Sequence, residues 1–515
     1  MRRIFILISL LSLTILFSFE MNGDPKLWSR ESFVNFDSIG DGSSYTGDIS
    51  SVFAFVEDDK LFLRITFDDM YSRKNNIDYF INQDIDIDLL ISSSTKTLFR
   101  NTFDINSILK KETSLSFLRT PEFNLLELEI NWPHLNMRED LFFDIKVIHN
   151  ESIVDRFSSG VSDDYRGGNV AFVHHGNQGL TYSEVFYGQE PLESSGFDEI
   201  LEIHQSTGIP GNFHMSGTLM PAAEWHNPEF NDWLESGVIE GYVSMLTSAL
   251  GQHMMPFVHN DMNNWAVAIE SDMVEYRYGY TPRVAWVPER VWLSPGAYPD
   301  AGVIDWIGDN WEQHGVEAVI LDDYIHCPGA DNKKIHWMNN SEGINLRIIP
   351  IDNEFVGMMH YDADAAKNYI SSTGQYGITV YGTDWEVAAE MNEHHETSFL
   401  DNYEGVMWYC YDNYPATNVW KLDNALNNSD FNGTNIDVQN GTYGLLGGSD
   451  GYGGSNNSWY SNWAATISHS DFHDPQWNYG MVWNDAYNNL MSAPNNSIAQ
   501  LGWYTLMINL HETGW

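Results

Sequence analysis

In the second part of the chain, short apolar runs that are typical of buried strands each lead into a polar residue capable of chemistry. Helix-like segments separate these runs, and such alternation is typical of βα units around a parallel sheet. Helix capping explains an Asp after a strand, but Glu and His cap poorly. In β/α-barrels the residues just beyond the strands build the active site. The runs are 170–173 before His174 and His175, 284–287 before Glu289, 316–321 before Asp322 and Asp323, 346–351 before Asp352, and 378–381 before Asp384.

The preceding part of the chain has a different hydrophobic period. Apolar residues alternate with polar ones, as at Leu61, Leu63 and Ile65, and turn-rich breaks separate the alternating runs. This pattern predicts an all-β sandwich over residues 21–160. A segment rich in Ser, Asp and Gly at 158–168 is interpreted as a linker to an α/β domain.

The first twenty residues have the features of an export signal. Arg2 and Arg3 form a basic start, and residues 4–17 form an apolar stretch that is too short for a convincing membrane span. We therefore expect a secreted or extracytoplasmic protein, in a bacterial or archaeal periplasm or at the cell surface. Because no small-residue cleavage site is evident near Ser18, an uncleaved anchor stays open.

The net charge of −47, from 72 acidic and 25 basic residues, disfavours nucleic acid and anionic lipid as partners. A salty habitat and bound calcium are both compatible with that charge, and the sequence does not choose between them. Cys327 and Cys410 are too few for a disulfide scaffold, and whether they pair stays open. Oligomeric state is equally unspecified.

Glu289 is the strongest candidate for a catalytic carboxylate. It follows an apolar run and lies between Trp286 and Trp292, directly after Pro288, which predicts a rigid and partly dry setting. Arg290 would hold the carboxylate ionised if its side chain turns toward it, as a nucleophile requires. The alternative is a Glu–Arg pair at the protein surface.

Several motifs together resemble glycoside hydrolase family 57 over about residues 169–515. Trp286-Val287-Pro288-Glu289 resembles the family's nucleophile motif, and Gly382-Thr383-Asp384-Trp385-Glu386 resembles its Asp-x-Glu motif. Gly211-Asn212-Phe213 is similar to the family's second strand. The Gly-rich run 447–454, with Trp459 and Trp463 after it, looks like the loop over the substrate cleft.

The resemblance implies an incomplete seven-stranded β/α-barrel over 169–400, followed by a helical and loop region over 401–515 that completes the cleft. It implies retaining cleavage or transfer on α-glucans, α-amylase-like first, then glucanotransferase or branching. Such chemistry uses two carboxyl groups about 5–5.5 Å apart. Glu289 would be the nucleophile and Asp384 the acid/base, with no metal or other cofactor. Residues 21–160 loosely resemble a carbohydrate-binding module.

The partner implied is a polysaccharide or oligosaccharide, with no nucleic acid and no membrane beyond export. His175 is the leading candidate for contact with a sugar hydroxyl, although a core histidine is an equal alternative. The full set of predicted substrate-binding residues is His175, Gln178, Trp286, His253, Trp459, Trp463 and Glu512. Because the sequence ends within what resembles the last family motif, we expect the natural protein to continue.

Two departures from the family pattern concern the substrate. Asn177 and Gly179 stand where the first motif has His and Pro, and Ser244 stands where another motif has Glu. These departures leave open a second reading, a non-catalytic sugar-binding surface protein. A metal-dependent polysaccharide deacetylase is a third, since residues 66–69 (Thr-Phe-Asp-Asp) match the opening motif of such enzymes.

Overall fold

The computed structural model describes residues 19–42, 47–68, 84–111, 114–120, 124–133, 141–160, 167–177, 185–188, 195–294, 306–339, 345–389, 399–441 and 479–510. The chain divides into two compact units, Met1–Ser162 and Asp163–Trp515, and the division falls inside the segment interpreted as a linker. The predicted export signal lies almost wholly outside the described residues. Among the residues that are described, no helix is long and apolar enough to cross a membrane.

In the described residues of the N-terminal unit, ten antiparallel strands form two sheets. One sheet has the order β1-β2-β3-β8-β7-β6 and the other β10-β9-β4-β5, as bounded below. The strands are β1 (Phe33–Phe36), β2 (Asp48–Glu57), β3 (Lys60–Asp68), β4 (Ile85–Ser92), β5 (Thr97–Asp104), β6 (Leu109–Lys111), β7 (Leu115–Thr120), β8 (Leu125–Asn131), β9 (Phe142–His149) and β10 (Ser152–Gly160).

Alternating side chains of these strands form one apolar core. Leu61, Leu63 and Ile65 of β3 lie in it together with Ile145 and Val147 of β9, so both sheets contribute to the same cluster. Because successive side chains of a strand point to opposite faces, the period of two in the sequence is what places them there.

The C-terminal unit alternates strands with helices. Its strands are β11 (Gly168–Gly176), β12 (Gly211–Met215), β13 (Val243–Met245), β14 (Val284–Trp286), β15 (Ala318–Asp322), β16 (Ile335–Met338), β17 (Arg347–Ile351), β18 (Thr379–Asp384), β19 (Thr417–Val419) and β20 (Asn432–Ile436). The five apolar runs predicted as strands are β11, β14, β15, β17 and β18. The predicted α/β class of this region is therefore confirmed.

The helices of this unit pack between and around the strands. They are α1 (Phe197–Thr207), α2 (Leu219–His226), α3 (Pro228–Glu240), α4 (Asn260–Tyr278), α5 (Gly308–Gln313), α6 (Asp323–His326), α7 (Asn353–Tyr361), α8 (Ala363–Ser372), α9 (Trp385–Ala388), α10 (Phe399–Asp412), α11 (Leu422–Ala425), α12 (Tyr479–Ser492) and α13 (Ser497–Asn509).

Among the described residues of the C-terminal unit, seven parallel strands form a barrel-like ring. β18, β11, β12 and β13 pair in that order, and so do β14, β15 and β17. Just beyond β13, Thr247 joins the two groups, since its N–H donates to Val284 O (3.1 Å) and its carbonyl accepts from Trp286 N (2.9 Å). At the other junction Asp352 N donates to Val380 O (3.0 Å).

Apolar side chains fill the ring, and buried apolar layers also separate it from the helices. Val173, Leu246, Ala318 and Ile349 belong to one cluster that is contributed by strands around the ring. Strands β17 and β18 approach so closely that a Cβ at Gly382 would lie 2.9 Å from Ile351 Cγ1. Glycine is therefore required two residues before Asp384. Cys327 and Cys410 are both buried and unpaired.

Candidate active site

A row of polar side chains crosses the ring where its strands end. His175 on β11 is the register partner of Asp384 on β18 and of His214 on β12. Since parallel strands present residues of one register to the same face, the three side chains are neighbours at the carboxyl ends of their strands. The predicted acid/base and the predicted sugar-contacting histidine are thus brought together.

His175 lies between two aromatic rings. Its imidazole stacks on His214 with ring centroids 4.8 Å apart and on Trp286 at 4.6 Å, each with an interplanar angle of 10°. Burial lowers the pKa of His175 well below its usual range, and His214 and Arg290 lower it further. The imidazole is therefore neutral near pH 7, able to donate one hydrogen bond and accept another.

His214 is in turn held by a carboxyl group that the sequence did not reveal. Its Nε2 lies 2.6 Å from Glu270 Oε1, and both side chains are fully buried. Burial raises the pKa of Glu270, while His214 and the backbone N–H groups of Gly217 and Ser248 act in the opposite direction. The sequence did contain a signal for this residue. Glu270 is an acidic residue that shares the buried face of α4 with three apolar residues, Ala266, Val267 and Val274.

Glu289 lies on a single helical turn, Pro288–Arg290, directly after β14. Its φ is 48° and that of Arg290 is 49°, so two successive residues with side chains adopt the left-handed conformation. Such backbone costs on the order of 1–3 kcal/mol per residue and concentrates at functional sites. The Glu289 side chain is half-buried, which leaves it accessible to a substrate.

Arg290 packs beside the predicted pair of carboxylates. Its guanidinium lies 5.1 Å from the centre of the Trp286 ring, and its Nε lies 3.4 Å from Asp322 Oδ2 at the end of β15. Asp322 is fully buried, and its Oδ1 accepts a hydrogen bond from Asn353 Nδ2 at 3.3 Å. The arginine is thus directed into the ring, not placed in a pair on the outer surface.

Asp384 ends β18 and is exposed only in part. Burial raises the pKa of its carboxyl group, Asp322 raises it further, and Arg290 lowers it. Asp384, Arg290 and Asp322 therefore interact electrostatically. A carboxyl group that keeps its proton toward neutral pH is what a general acid requires. The next residue, Trp385, points to the helices and stacks on Phe197 with centroids 4.4 Å apart.

The two histidines that follow the first predicted strand point to opposite faces. Whereas His175 faces the ring, His174 Nε2 lies 2.8 Å from the hydroxyl of Tyr403 on α10. His204 Nε2 lies 2.7 Å from the same hydroxyl, and His204 Nδ1 donates to Ile209 O. His174 therefore links the barrel to its helices.

The other predicted substrate contacts have varied placements. Trp286 is only 1% exposed, so its ring supports His175 and Arg290. His253 is fully buried, with Nε2 2.7 Å from Asn263 Oδ1. Ser244 is buried, and its hydroxyl lies 2.8 Å from that of Tyr280. Gln178, Trp459, Trp463 and Glu512 lie outside the described residues.

The C-terminal unit is thus a β/α-barrel protein with carboxyl, imidazole and guanidinium groups gathered at the carboxyl ends of its strands. The model of glycosyl hydrolase family 57 matches residues 112–408, more than half of the chain. The chain belongs to this family, as its motifs indicated. The match starts inside the N-terminal unit, well before residue 169, which is where the motifs placed the start of the resemblance.

Curated relatives and a solved structure are consistent with this membership. The chain is 24% identical over 190 residues to a 4-alpha-glucanotransferase of Thermococcus litoralis, covering 36% of this chain and 27% of the relative. It is 25% identical over 144 residues to an alpha-amylase of Pyrococcus horikoshii, covering 27% and 21%. These matches span about a quarter of each relative. A GH57-type branching enzyme structure from Pyrococcus horikoshii aligns with TM-score 0.50 and 13% identity over 67% of this chain and 84% of its own, a likeness of fold.

Proposed function

We propose that this protein is a retaining glycoside hydrolase or transglycosylase that acts on α-glucans, with Glu289 as nucleophile and Asp384 as acid/base. One observation carries the proposal: Asp384, whose pKa is raised, interacts with Arg290, the residue that follows Glu289 on the strained turn. Double displacement needs one carboxyl group that attacks and one that gives up a proton, and the raised pKa suits Asp384 to the second role.

In the first step the Glu289 carboxylate attacks the anomeric carbon while protonated Asp384 gives its proton to the leaving oxygen. A glycosyl-enzyme ester forms and the glycosidic bond breaks. In the second step ionised Asp384 takes a proton from water or from a sugar hydroxyl, which attacks the anomeric carbon and releases Glu289. Water gives hydrolysis and a sugar acceptor gives transfer.

Neighbouring groups support these roles without reacting. Arg290 interacts electrostatically with Asp384, and its positive charge favours the ionised carboxyl that the second step requires. Asp322 has the opposite effect and favours the protonated form that the first step requires. His175, neutral and next to Asp384 in register, would orient a sugar hydroxyl by hydrogen bonding.

The substrate class rests on family membership and on the names of the relatives, a glucanotransferase and an amylase. We also propose that the N-terminal unit is a carbohydrate-binding β-sandwich and that residues 1–20 direct export. The all-β pairing of that unit supports the first point. Export is tested by fractionating cells that express the chain with and without residues 1–20, followed by immunodetection in the extracytoplasmic fraction.

The catalytic proposal is tested by incubating the purified protein with soluble starch, pullulan and maltooligosaccharides and separating the products by chromatography. The anomeric configuration of the first product, followed by NMR, should be that of the substrate. Glu289→Gln and Asp384→Asn should each lower turnover by several orders of magnitude. Glu312→Gln and Asp364→Asn, at exposed positions on α5 and α8, are matched controls with unchanged turnover.

Each other outcome has a definite meaning. Binding of these glucans without turnover by the unmodified protein would favour the non-catalytic sugar-binding alternative. Inverted products would exclude Glu289 as a covalent nucleophile. Full activity of either site variant would remove that residue from the mechanism.

A further inference from the structure

Three carboxyl groups meet in the N-terminal unit, in a place that the proposed catalysis does not use. Oxygen atoms of Asp41, Asp48 and Asp155 lie within 4.8 Å of one another. Asp48 begins β2 in one sheet, Asp155 belongs to β10 in the other, and Asp41 lies on the loop after β1. The cluster therefore joins the two sheets.

One oxygen of this cluster is buried without a hydrogen-bond donor. Asp48 is 8% exposed, and its Oδ2 accepts from Gly40 N at 2.7 Å. Within the described part of the chain, its Oδ1 has no partner, and neither has Oδ2 of the neighbouring Asp37. A buried carboxylate oxygen that lacks a donor is removed from water without a compensating hydrogen bond. This is unfavourable unless a cation binds there.

The basic side chain closest in sequence is committed elsewhere. Arg156 follows Asp155, but its Nε lies 2.7 Å from Asp144 Oδ1 and its Nη2 3.1 Å from Asp144 Oδ2. The carboxyl groups of Asp37, Asp41, Asp48 and Asp155 repel one another, and a cation bound among them would remove that repulsion.

We propose that Asp41, Asp48 and Asp155, with Asp37 beside them, bind one calcium ion that clamps the two sheets of the N-terminal unit together. Calcium takes six to eight oxygen ligands at about 2.3–2.6 Å in irregular geometry, which suits carboxylates from a loop and two strands. Magnesium requires near-ideal octahedral geometry at about 2.0–2.1 Å and is the weaker candidate.

The test uses the full-length protein, treated with EDTA and dialysed into about 0.15 M KCl so that diffuse binding to its many acidic residues is screened. Calcium chloride is titrated by calorimetry, and thermal unfolding is followed with and without the ion. We expect one saturable site with Kd of about 10⁻³ M or lower. At saturating calcium the unfolding midpoint of the N-terminal unit should rise by roughly 5–10 °C.

Asp48→Asn and Asp41→Asn should each weaken calcium binding at least tenfold and remove the thermal shift. Asp41 is exposed, so its variant will fold even if the buried Asp48 variant does not. Asp58→Asn is the matched control, because Asp58 occupies an exposed turn with φ of 48° that asparagine accepts. Preference for magnesium chloride, or a calcium effect that survives Asp41→Asn, would overturn the assignment.

Discussion

Asp384 is the register partner of His175 across strands β18 and β11, and it ends β18, where its side chain is partly buried. This pairing places an acid with a raised pKa next to a neutral imidazole. The surrounding groups, Arg290 and Asp322, have opposite charges and act on the acid in opposite directions. The proton affinity of Asp384 therefore depends on its burial and on the balance between these two neighbours, and mutation can alter that balance.

Asp322→Asn should move the alkaline limb of the activity profile to lower pH. Asp322 raises the pKa of Asp384, so its neutralisation lowers that pKa and the proposed general acid loses its proton earlier as pH rises. We expect a shift of roughly 0.5–1 pH unit in the alkaline limb of kcat/KM.

Asp323→Asn is the control for this shift. Asp323 is the next residue and bonds to Asn353, yet it is not among the groups that act on Asp384. Its alkaline limb should match that of the unmodified protein. An unmoved limb in Asp322→Asn would show that the limb reports another group.

Trp286→Leu should lower kcat about ten- to a hundredfold while KM changes less than threefold. The ring is buried and supports His175 and Arg290, so its loss disturbs the reacting geometry more than the sugar contact. Trp337→Leu is the control, since Arg347 lies 5.0 Å over that ring at the opposite end of the barrel. A rise in KM with kcat unchanged would instead indicate that Trp286 contacts sugar directly.

Glu270→Gln should destabilise the barrel by about 2–4 kcal/mol. The amide nitrogen of glutamine would meet donors that now face a carboxyl group, namely the backbone N–H groups of Gly217 and Ser248. Urea midpoints measured by tryptophan fluorescence will report the change. Glu275→Gln, exposed on the same helix, should stay within about 0.5 kcal/mol of the unmodified protein. Equal midpoints for the two variants would contradict the predicted loss.

Tyr403→Phe should cost about 1–3 kcal/mol of stability and leave turnover unchanged. His204 donates through Nδ1 to Ile209 O, and burial lowers its pKa to about 4, so its Nε2 accepts from the Tyr403 hydroxyl. The phenylalanine ring leaves both imidazoles without that hydroxyl. Tyr361→Phe, at a position 73% exposed, is the control for thermal unfolding. A fall in kcat would instead show that His174 also contributes to catalysis, beyond linking the barrel to α10.

The ends of the barrel strands were accessible from sequence because a buried parallel strand is a short, continuous apolar run. Asp322 and Asp384 follow directly from this rule. The same rule does not indicate to which face of the sheet each side chain points, because both faces of such a strand are buried. The apolar run alone therefore does not distinguish His174 from His175, although His175 was the leading candidate for sugar contact. The contact of His174 with Tyr403 on α10 distinguishes them.

Other parts of the site depend on contacts between distant segments. Glu270 and His214 are 56 residues apart, and nothing local to either predicts their 2.6 Å approach. β13 has only three residues, too few for a recognisable period, so the junction with β14 at Thr247 could not be placed. The acidic cluster of the N-terminal unit likewise forms only when β2 and β10 come together.

The left-handed turn at Glu289 has a consequence for enzyme engineering. Glycine adopts a φ of 48° without steric penalty, so Glu289→Gly would remove the proposed nucleophile and relieve the backbone strain at this position. The space left by the side chain would admit a small exogenous anion such as azide or formate, which can attack the anomeric carbon in place of the carboxylate. If Glu289 is the nucleophile, as proposed, we expect such anions to restore activity to Glu289→Gly, with the configuration of the glycosyl azide as readout.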